Sequence, residues 1–190
     1  MCKVCFYQLR QLRSIRRSIT SKACETLVHA FVASRIDYCN SLLYGINDSL
    51  ARSLQSVLRA AARLITCKRK YDPISDSIRD VLHWLPIRQR VDFKLCLLTF
   101  KCLRNEAPAY LCEMLSSVTT VEALQRTRSA ARRDLLVPRT KPVRYGQRSF
   151  AVAAPVLWNS LPTELRVLGL SLAVFKSKLK TFIFKKAYSL

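Results

Sequence analysis

Asn47-Asp48-Ser49-Leu50-Ala51-Arg52-Ser53-Leu54-Gln55-Ser56-Val57-Leu58-Arg59-Ala60-Ala61-Ala62-Arg63-Leu64-Ile65 reads as one helix with two unlike faces. Leu50, Leu54, Val57, Leu58, Ala61, Leu64 and Ile65 recur at the three- and four-residue spacing of a helical stripe. Asn47 and Asp48 carry side-chain oxygens of the kind that accept the first free N–H groups of a helix. Arg52, Arg59 and Arg63 fall at i, i+7 and i+11, opposite the stripe. A helix with one apolar side needs other apolar sides to cover it.

The flanking sequence supplies them. Leu9, Leu12, Ile15 and Ile19 recur at helical spacing, and Thr20 or Ser21 is placed to cap the next helix. That helix carries Cys24, Leu27, Val28, Phe31, Val32, Ile36, Cys39 and Leu42, with Gly45 as its left-handed end. Short connections between three amphipathic helices predict a small bundle over residues 1–70. Cys67-Lys68-Arg69-Lys70-Tyr71 is a basic link, and Asp72-Pro73 opens a short helix ending near His83-Trp84-Leu85. Pro86 suits the first turn of a further helix, about 86–104, which is apolar nearly all round and so expected to be buried. Pro108 opens a short helix through Leu115.

Residues 116–133 turn polar and are expected to form a mobile loop. Leu135-Leu136-Val137-Pro138 has β character, and with Val143–Tyr145 it predicts a small hairpin around Lys141-Pro142. The apolar segment 147–160 is interrupted by Pro155. Pro162 starts a short helix, and Ser171 caps a last one bearing Leu172, Phe175, Leu179, Phe182 and Ile183. The expected fold class is mainly α. A three-helix bundle (1–70) is followed by central buried helices (71–115) and a basic C-terminal extension (116–190) with a small β hairpin.

Composition narrows the function. The chain has 190 residues, half of them hydrophobic, with 33 Lys and Arg against 12 Asp and Glu, a net charge of +21. That is a chain with a core, and a strongly basic one. Residues 1–70 hold 13 basic and 3 acidic residues, residues 71–125 hold 6 and 7, and residues 126–190 hold 14 and 2. Two basic segments flank a neutral one, as a two-sided grip on a polyanion would require. The three glycines, Gly45, Gly146 and Gly169, fit neither a P-loop nor a dinucleotide fingerprint. His29 and His83 are the two histidines, and no two acids are adjacent. Asp72, Asp76 and Asp80 suit a helix start better than a metal pair. Neither catalysis nor a cofactor is expected.

Cys2-x-x-Cys5 is half a zinc spacing with no second half, so no metal is expected either. The eight cysteines lie mostly in apolar helical patterns and read as reduced core thiols. No apolar run reaches the ~18 residues of a membrane span, and the basic N-terminus does not fit a secretion signal. Its Arg-rich, acid-free character before Glu25 has the look of a mitochondrial presequence, but the same pattern suits a helix that grips nucleic acid, and the presequence reading is set aside. An intracellular protein, nuclear or cytoplasmic, with no membrane contact is expected.

Arginine forks bond two phosphate oxygens at once, so acid-free arginine stripes point to a nucleic-acid backbone. One stripe is Arg10, Arg13 and Arg17, and the other is Arg52, Arg59 and Arg63, continued by Lys68, Arg69 and Lys70. A second cluster comprises Arg126, Arg128, Arg132, Arg133, Arg139, Lys141, Arg144 and Arg148, with Tyr145 and Phe150 beside it. Trp84 and Trp158 each stand shortly before a Leu-Pro and read as core anchors.

Several blocks then match a known family in order. Leu27-Val28-His29-Ala30-Phe31-Val32-Ala33-Ser34-Arg35-Ile36-Asp37-Tyr38-Cys39-Asn40-Ser41-Leu42-Leu43-Tyr44-Gly45 resembles the segment after the polymerase palm in non-LTR (LINE-type, jockey-like) retrotransposon reverse transcriptases. So do Ala60–Ile65, Leu82–Arg88, Phe93–Leu103 with Ala107-Pro108, Ala151–Pro162 including Leu157-Trp158-Asn159, and Phe175–Lys180. Arg59 and Gln147 depart from the pattern and make this chain more basic.

The resemblance covers the thumb and the region after it, not the endonuclease or the polymerase with its aspartate pair. It implies that residues 1–70 form a helical thumb that holds template–primer duplex. The remainder would engage element RNA or target DNA. The expected function is therefore a non-catalytic nucleic-acid-binding fragment, gripping RNA, RNA–DNA hybrid or DNA through phosphates. A reverse transcriptase palm in another chain is a further expected partner. Two alternatives stand beside it. One is a partner-binding or self-associating module presenting Cys5, Phe6, Leu9 and Leu12. The other is a translated remnant of a decayed element.

Overall fold

The computed structural model describes residues 1–120, 127–139 and 146–189, and it is mainly helical. The first helices are α1 (Cys2–Ile15), α2 (Ser21–Val28), α3 (Ser34–Asp37) and α4 (Asp48–Ile65). They are followed by α5 (Ile87–Leu103), α6 (Ala109–Cys112), α7 (Arg128–Ala131), α8 (Phe150–Asn159) and α9 (Leu172–Tyr188). The chain divides into two compact units. One is Met1–Asn40 with Ile46–Arg90, the other Ser41–Gly45 with Val91–Leu190, and the division falls inside α5.

The caps explain where the helices start. Thr20 Oγ1 accepts from the Ala23 N–H at 3.2 Å, Asn47 Oδ1 from Leu50 at 3.0 Å and Ser171 Oγ from Val174 at 3.3 Å. Ile87 N–H, at the start of α5, donates to Gln55 Oε1 on α4 at 3.0 Å.

In the first unit, α1, α2 and α4 pack on one another. The core takes Cys5, Leu9 and Leu12 from α1 and Cys24, Val28, Val32 and Ile36 from the second helical stretch. From α4 it takes Ala51, Leu54, Val57, Leu58, Ala61, Ala62, Leu64 and Ile65. The spacing of Cys24, Val28, Val32 and Ile36 is four throughout. A regular helix, at 3.6 residues per turn, would carry such a series steadily around its axis. A π-helical turn over His29–Ala33, closed by Ser34 N–H to the His29 carbonyl, widens the helix and brings the series back. A second such turn, Ser77–Val81, lies between Ile74 and Leu82, where Ile78 is buried.

Two helix ends differ from the sequence reading. Ile15 and Ile19 do not continue the α1 core stripe. α1 stops at Ile15, which is 45% exposed, a 3-10 turn (Arg16–Ser18) comes next, and Ile19 is extended. The second helical stretch stops at Asp37 rather than near Leu42, because Tyr38 turns extended and Cys39 takes φ +50°. Cys39 and Leu42 are consequently exposed. With only three glycines in the chain, left-handed positions fall to Cys39, Cys67, His83, Asn105, Arg133 and Ser189 as well as Gly45.

Arg16 binds the first unit together. Its Nε donates to the Leu64 carbonyl at 2.9 Å and its Nη2 to the Ile65 carbonyl at 3.1 Å. The same fork donates from Nη1 to the Ile19 carbonyl and from Nη2 to Ser21 Oγ, both at 2.9 Å. The last carbonyls of α4 lack intrahelical partners and sit at the negative end of the helix dipole, so a guanidinium there meets both needs. Lys68 N–H closes the same end by bonding back to the Arg63 carbonyl at 3.0 Å, with Cys67 left-handed at φ +55° between.

In the second unit, α5, α8 and α9 share a core. Phe100 stacks on Phe175 with centroids 4.0 Å apart, and Trp158 lies tilted against Phe175 at 6.2 Å. Val91, Leu95 and Ala153 pack with Leu43, Tyr44, Phe150 and Leu157. Gly45 is needed in this unit. It has φ +64°, and a Cβ there would meet Arg148 Cγ at 3.0 Å. Pro155 does not interrupt the 147–160 segment. α8 runs through it, and its ring is fully buried in the core.

The predicted hairpin is not seen. Among the described residues there is no strand, only a single antiparallel bridge between Ser117 and Leu135. Val143–Tyr145 and Lys141-Pro142 lie outside the described residues. Of the loop expected over 116–133, residues 121–126 lie outside them too. The described parts hold a 3-10 turn at Val118–Thr120 and α7.

Replacing Arg16 by Ala removes four hydrogen bonds and leaves two helix-end carbonyls without a donor. It is expected to cost about 3 kcal/mol, seen as a lower urea midpoint, with Arg16→Lys recovering less than half. The thiols give a second test. Cys39 and Cys67 are exposed, while burial pushes the Cys96 thiol up to about 12. Iodoacetamide at pH 8 should alkylate Cys39 and Cys67 in the folded chain and reach Cys96 only in denaturant, as read by peptide mass spectrometry.

Candidate nucleic-acid interface

The first unit carries 16 Lys and Arg against 6 Asp and Glu. All six acids are already engaged inside it. Glu25 pairs with Lys22 at 3.1 Å, and Asp37 pairs with Arg90 at 2.8 Å. Asp48 pairs with Arg88. Asp76 and Asp80 both meet Arg79, whose hydrogen bond holds the Asp80 carboxyl below its ordinary range. Asp72 accepts from the Arg69 backbone N–H at 2.6 Å. The Asp72, Asp76 and Asp80 series is thus taken up by local contacts. Among the described residues no group of three His, Cys, Asp or Glu side chains could hold a metal ion.

The cations left over define the surface. Arg10 and Arg13 are exposed on α1, and Arg17 is exposed in the turn after it. Arg52 and Arg59 are exposed on α4, opposite its buried stripe. None of the five has a carboxylate partner among the described residues. Between Arg52 and Arg59 the solvent face of α4 carries Ser53 and Ser56, whose hydroxyls donate to the Ser49 and Ser53 carbonyls at 2.9 and 2.7 Å. Such short, self-satisfied side chains leave the long arginines as the reach of that face.

Two members of the stripes have other work. Arg63 is half-buried, donates from Nη2 to the Asp72 carbonyl at 3.3 Å, and has a buried Nε with no hydrogen-bond partner among the described residues. Lys68 Nζ holds the Pro73 carbonyl at 2.8 Å. Both brace the turn after α4. Arg69 and Lys70 remain exposed, and Lys70 Nζ lies 5.2 Å from the ring centroid of Tyr71.

The second basic cluster is spread over a braced segment. Leu135 N–H donates to Asn159 Oδ1, and Asn159 Nδ2 donates to the Leu135 carbonyl, both at 2.8 Å. On the other edge Leu136 N–H donates to the Ser116 carbonyl at 2.8 Å and Val118 N–H to the Asp134 carbonyl at 3.1 Å. Leu135 is thus held by an isolated antiparallel bridge on one side and by an amide side chain on the other. Trp158 Nε1 donates to the Arg133 carbonyl at 3.3 Å, and Asp134 is paired with buried Arg166 and, at 3.2 Å, with Arg132. Trp158, like Trp84, is a buried anchor, at 1% and 4% exposure.

Arg128, Arg133 and Arg139 expose their side chains on this frame, whereas Arg132 shares Asp134. Arg148 is half-buried and donates from Nε to the Tyr44 carbonyl at 2.9 Å, so it holds the fold. Arg126, Lys141, Arg144 and Tyr145 lie outside the described residues. Phe150 packs in the α5–α8 core rather than standing free to stack.

Other cations escaped the sequence reading. Arg35 is exposed and has no carboxylate partner among the described residues. On α9, Lys176, Lys178, Lys180, Lys185 and Lys186 are exposed, and no acid comes after Glu164 in the chain. That absence of acids was the signal that could have found them. The apolar surface expected at Cys5, Phe6, Leu9 and Leu12 is not available as such. Cys5, Leu9 and Leu12 are inside the core, and Phe6 alone is exposed, at 37%.

Comparison of the chain with protein-family models, with curated proteins and with solved structures returned no match. No described helix is long and apolar enough to cross a membrane.

The Asn159 clamp is testable. Asn159→Asp keeps the acceptor for Leu135 N–H but sets a carboxylate against the Leu135 carbonyl. It is expected to cost about 2 kcal/mol and to lower the urea midpoint.

Proposed function

We propose that the helical unit of residues 1–40 and 46–90 binds nucleic acid by its phosphate backbone, as the thumb-like part of a non-LTR retrotransposon reverse transcriptase would. One observation carries this reading. Every carboxylate of the unit is engaged internally, while Arg10, Arg13, Arg17, Arg52 and Arg59 stand exposed without one. The one acid on the arginine face of α4, Asp48, is taken up by Arg88, so Arg52 and Arg59 are left without a counter-charge. The arginines sit on helices anchored by Leu9, Leu12, Leu54 and Leu58, so their spacing is preset before any ligand arrives. They would read charge and spacing, with no base contacts, on RNA–DNA hybrid, RNA or DNA. The resemblance of the surrounding sequence to thumb segments favours the hybrid. No catalytic role is proposed.

The test is fluorescence anisotropy of the full chain against a labelled RNA–DNA hybrid over a salt series, beside a variant with Arg10, Arg13, Arg52 and Arg59 all changed to Ala. Binding should weaken steeply with salt. The logarithmic slope should become shallower by about one for each phosphate that the variant no longer neutralises. Circular dichroism should show both proteins equally helical, because none of the four side chains supports the fold. Affinity that ignores salt, or that survives the fourfold change, would overturn the reading.

A further inference from the structure

We propose that a cleft between the start of α1 and α3 binds an unpaired nucleotide, its base against Tyr38 and its phosphate on Arg35. This rests on the phosphate grip proposed for the same unit and deepens it, by assigning a single-stranded ligand to a second place there. The cleft measures about 550 Å³ and is lined by Met1, Val4, Ser34, Arg35 and Tyr38. That volume lies within the range of about 300–1,000 Å³ typical of clefts that take small ligands.

The lining has the chemistry of a base site. Met1 and Val4 give an apolar wall, at 56% and 44% exposure, and Tyr38 presents a ring that is 75% exposed. Tyr7 and Phe31, on the two helical stretches that border the cleft, expose further aromatic surface. A base offers a flat apolar face to such a ring while its phosphate stays charged, and sites for single strands combine these two elements. Arg35 supplies the cation, with no carboxylate partner among the described residues. The neighbouring acid does not neutralise the cleft, since Asp37 is turned to Arg90 at 2.8 Å and to Asn40 Nδ2 at 3.4 Å.

The backbone sets this display. The π-helical turn at His29–Ala33 rotates the residues after it, so Ile36 enters the core while Ser34, Arg35 and Tyr38 line the cleft. Ser34 donates its hydroxyl hydrogen to the Ala30 carbonyl, which leaves its oxygen as an acceptor for the ligand. A duplex hides its base faces by stacking, so only an unpaired nucleotide can use the ring. An acidic amphipathic peptide is the competing occupant, but it would leave the flat exposed ring of Tyr38 without a matching surface.

The experiment compares three labelled probes on the full chain at fixed salt. They are a twelve-nucleotide single-stranded RNA, a strand of equal length and charge made of abasic sites, and the RNA–DNA hybrid. The RNA should bind at least fivefold more tightly than the abasic strand. Tyr38→Ala should weaken RNA binding roughly tenfold, leave the hybrid unchanged and remove the preference over the abasic strand. Tyr38→Phe should retain it. Equal affinity for RNA and abasic strand, with Tyr38→Ala silent, would overturn the proposal while hybrid binding upheld the phosphate grip. Single-strand binding sensitive to Tyr38 but with no hybrid binding would uphold the cleft and overturn the grip. An acidic peptide that binds the native chain but not Tyr38→Ala, with RNA binding untouched by that change, would overturn the cleft as a base site.

Discussion

One guanidinium sets the geometry of the first unit. Arg16 reaches from the turn after α1 to the last carbonyls of α4 and to the first residue of α2. Three chain segments meet at a side chain whose planar fork cannot track them if they shift. The helix-end carbonyls it holds would otherwise compete for water at the point where the unit is to close. The apolar stripes could slide along one another with modest loss, since hydrophobic contact is non-directional. A fork with four directed bonds supplies the register that the stripes do not. It also ties the end of α1 to the end of α4, so the exposed arginines on both helices inherit fixed positions.

The same side-chain type therefore does two kinds of work. Arg16, Arg63, Arg90, Arg148 and Arg166 hold carbonyls or carboxylates of the fold. Arg10, Arg13, Arg17, Arg52 and Arg59 stand exposed on the surface. A basic chain of this kind carries a self-repulsion that loosens the compact state. The internal arginines offset part of it by tying helix ends and loops with charge-assisted hydrogen bonds. On the proposed reading the rest of that repulsion would be relieved when a polyanion binds, which couples stability to ligand.

How much of this was legible depends on the range of each interaction. The two faces of α4 and its Asn47 cap are encoded within one stretch of chain, and the structure has both, except that Leu50, at the first turn, is 55% exposed. Caps at Thr20 and Ser171 are equally local. Arg16 looked like one more cation of an arginine-rich run, because its partners Leu64 and Ile65 are far away in sequence and offer only backbone. Asn159 stands in a family block, and nothing in a sequence marks an amide whose oxygen and nitrogen both bond the Leu135 backbone. The hairpin expectation paired Leu135 with a local neighbour, whereas its bridge partner is Ser117. The arginine stripes were legible as stripes, but the loss of Arg63, Lys68 and Arg148 to the fold was not. Those three bond to backbone carbonyls, which every residue has.

The left-handed positions act at the same helix ends. A chain with so little glycine must end helices on residues that resist φ > 0, at a cost of roughly 1–2 kcal/mol each. Cys39 and Cys67 do so at the ends of the second helical stretch and of α4. Both ends adjoin the proposed functional surface, since Tyr38 borders the cleft and Lys68, Arg69 and Lys70 come directly after Cys67. A regular helix carried past Thr66 would scatter the basic link around a cylinder. The stop after Thr66 compresses residues 67–73 into a turn closed by Arg63, Lys68 and Asp72. At Cys67 the strain is thus placed where the direction of the basic link matters more than the stability of the helix end.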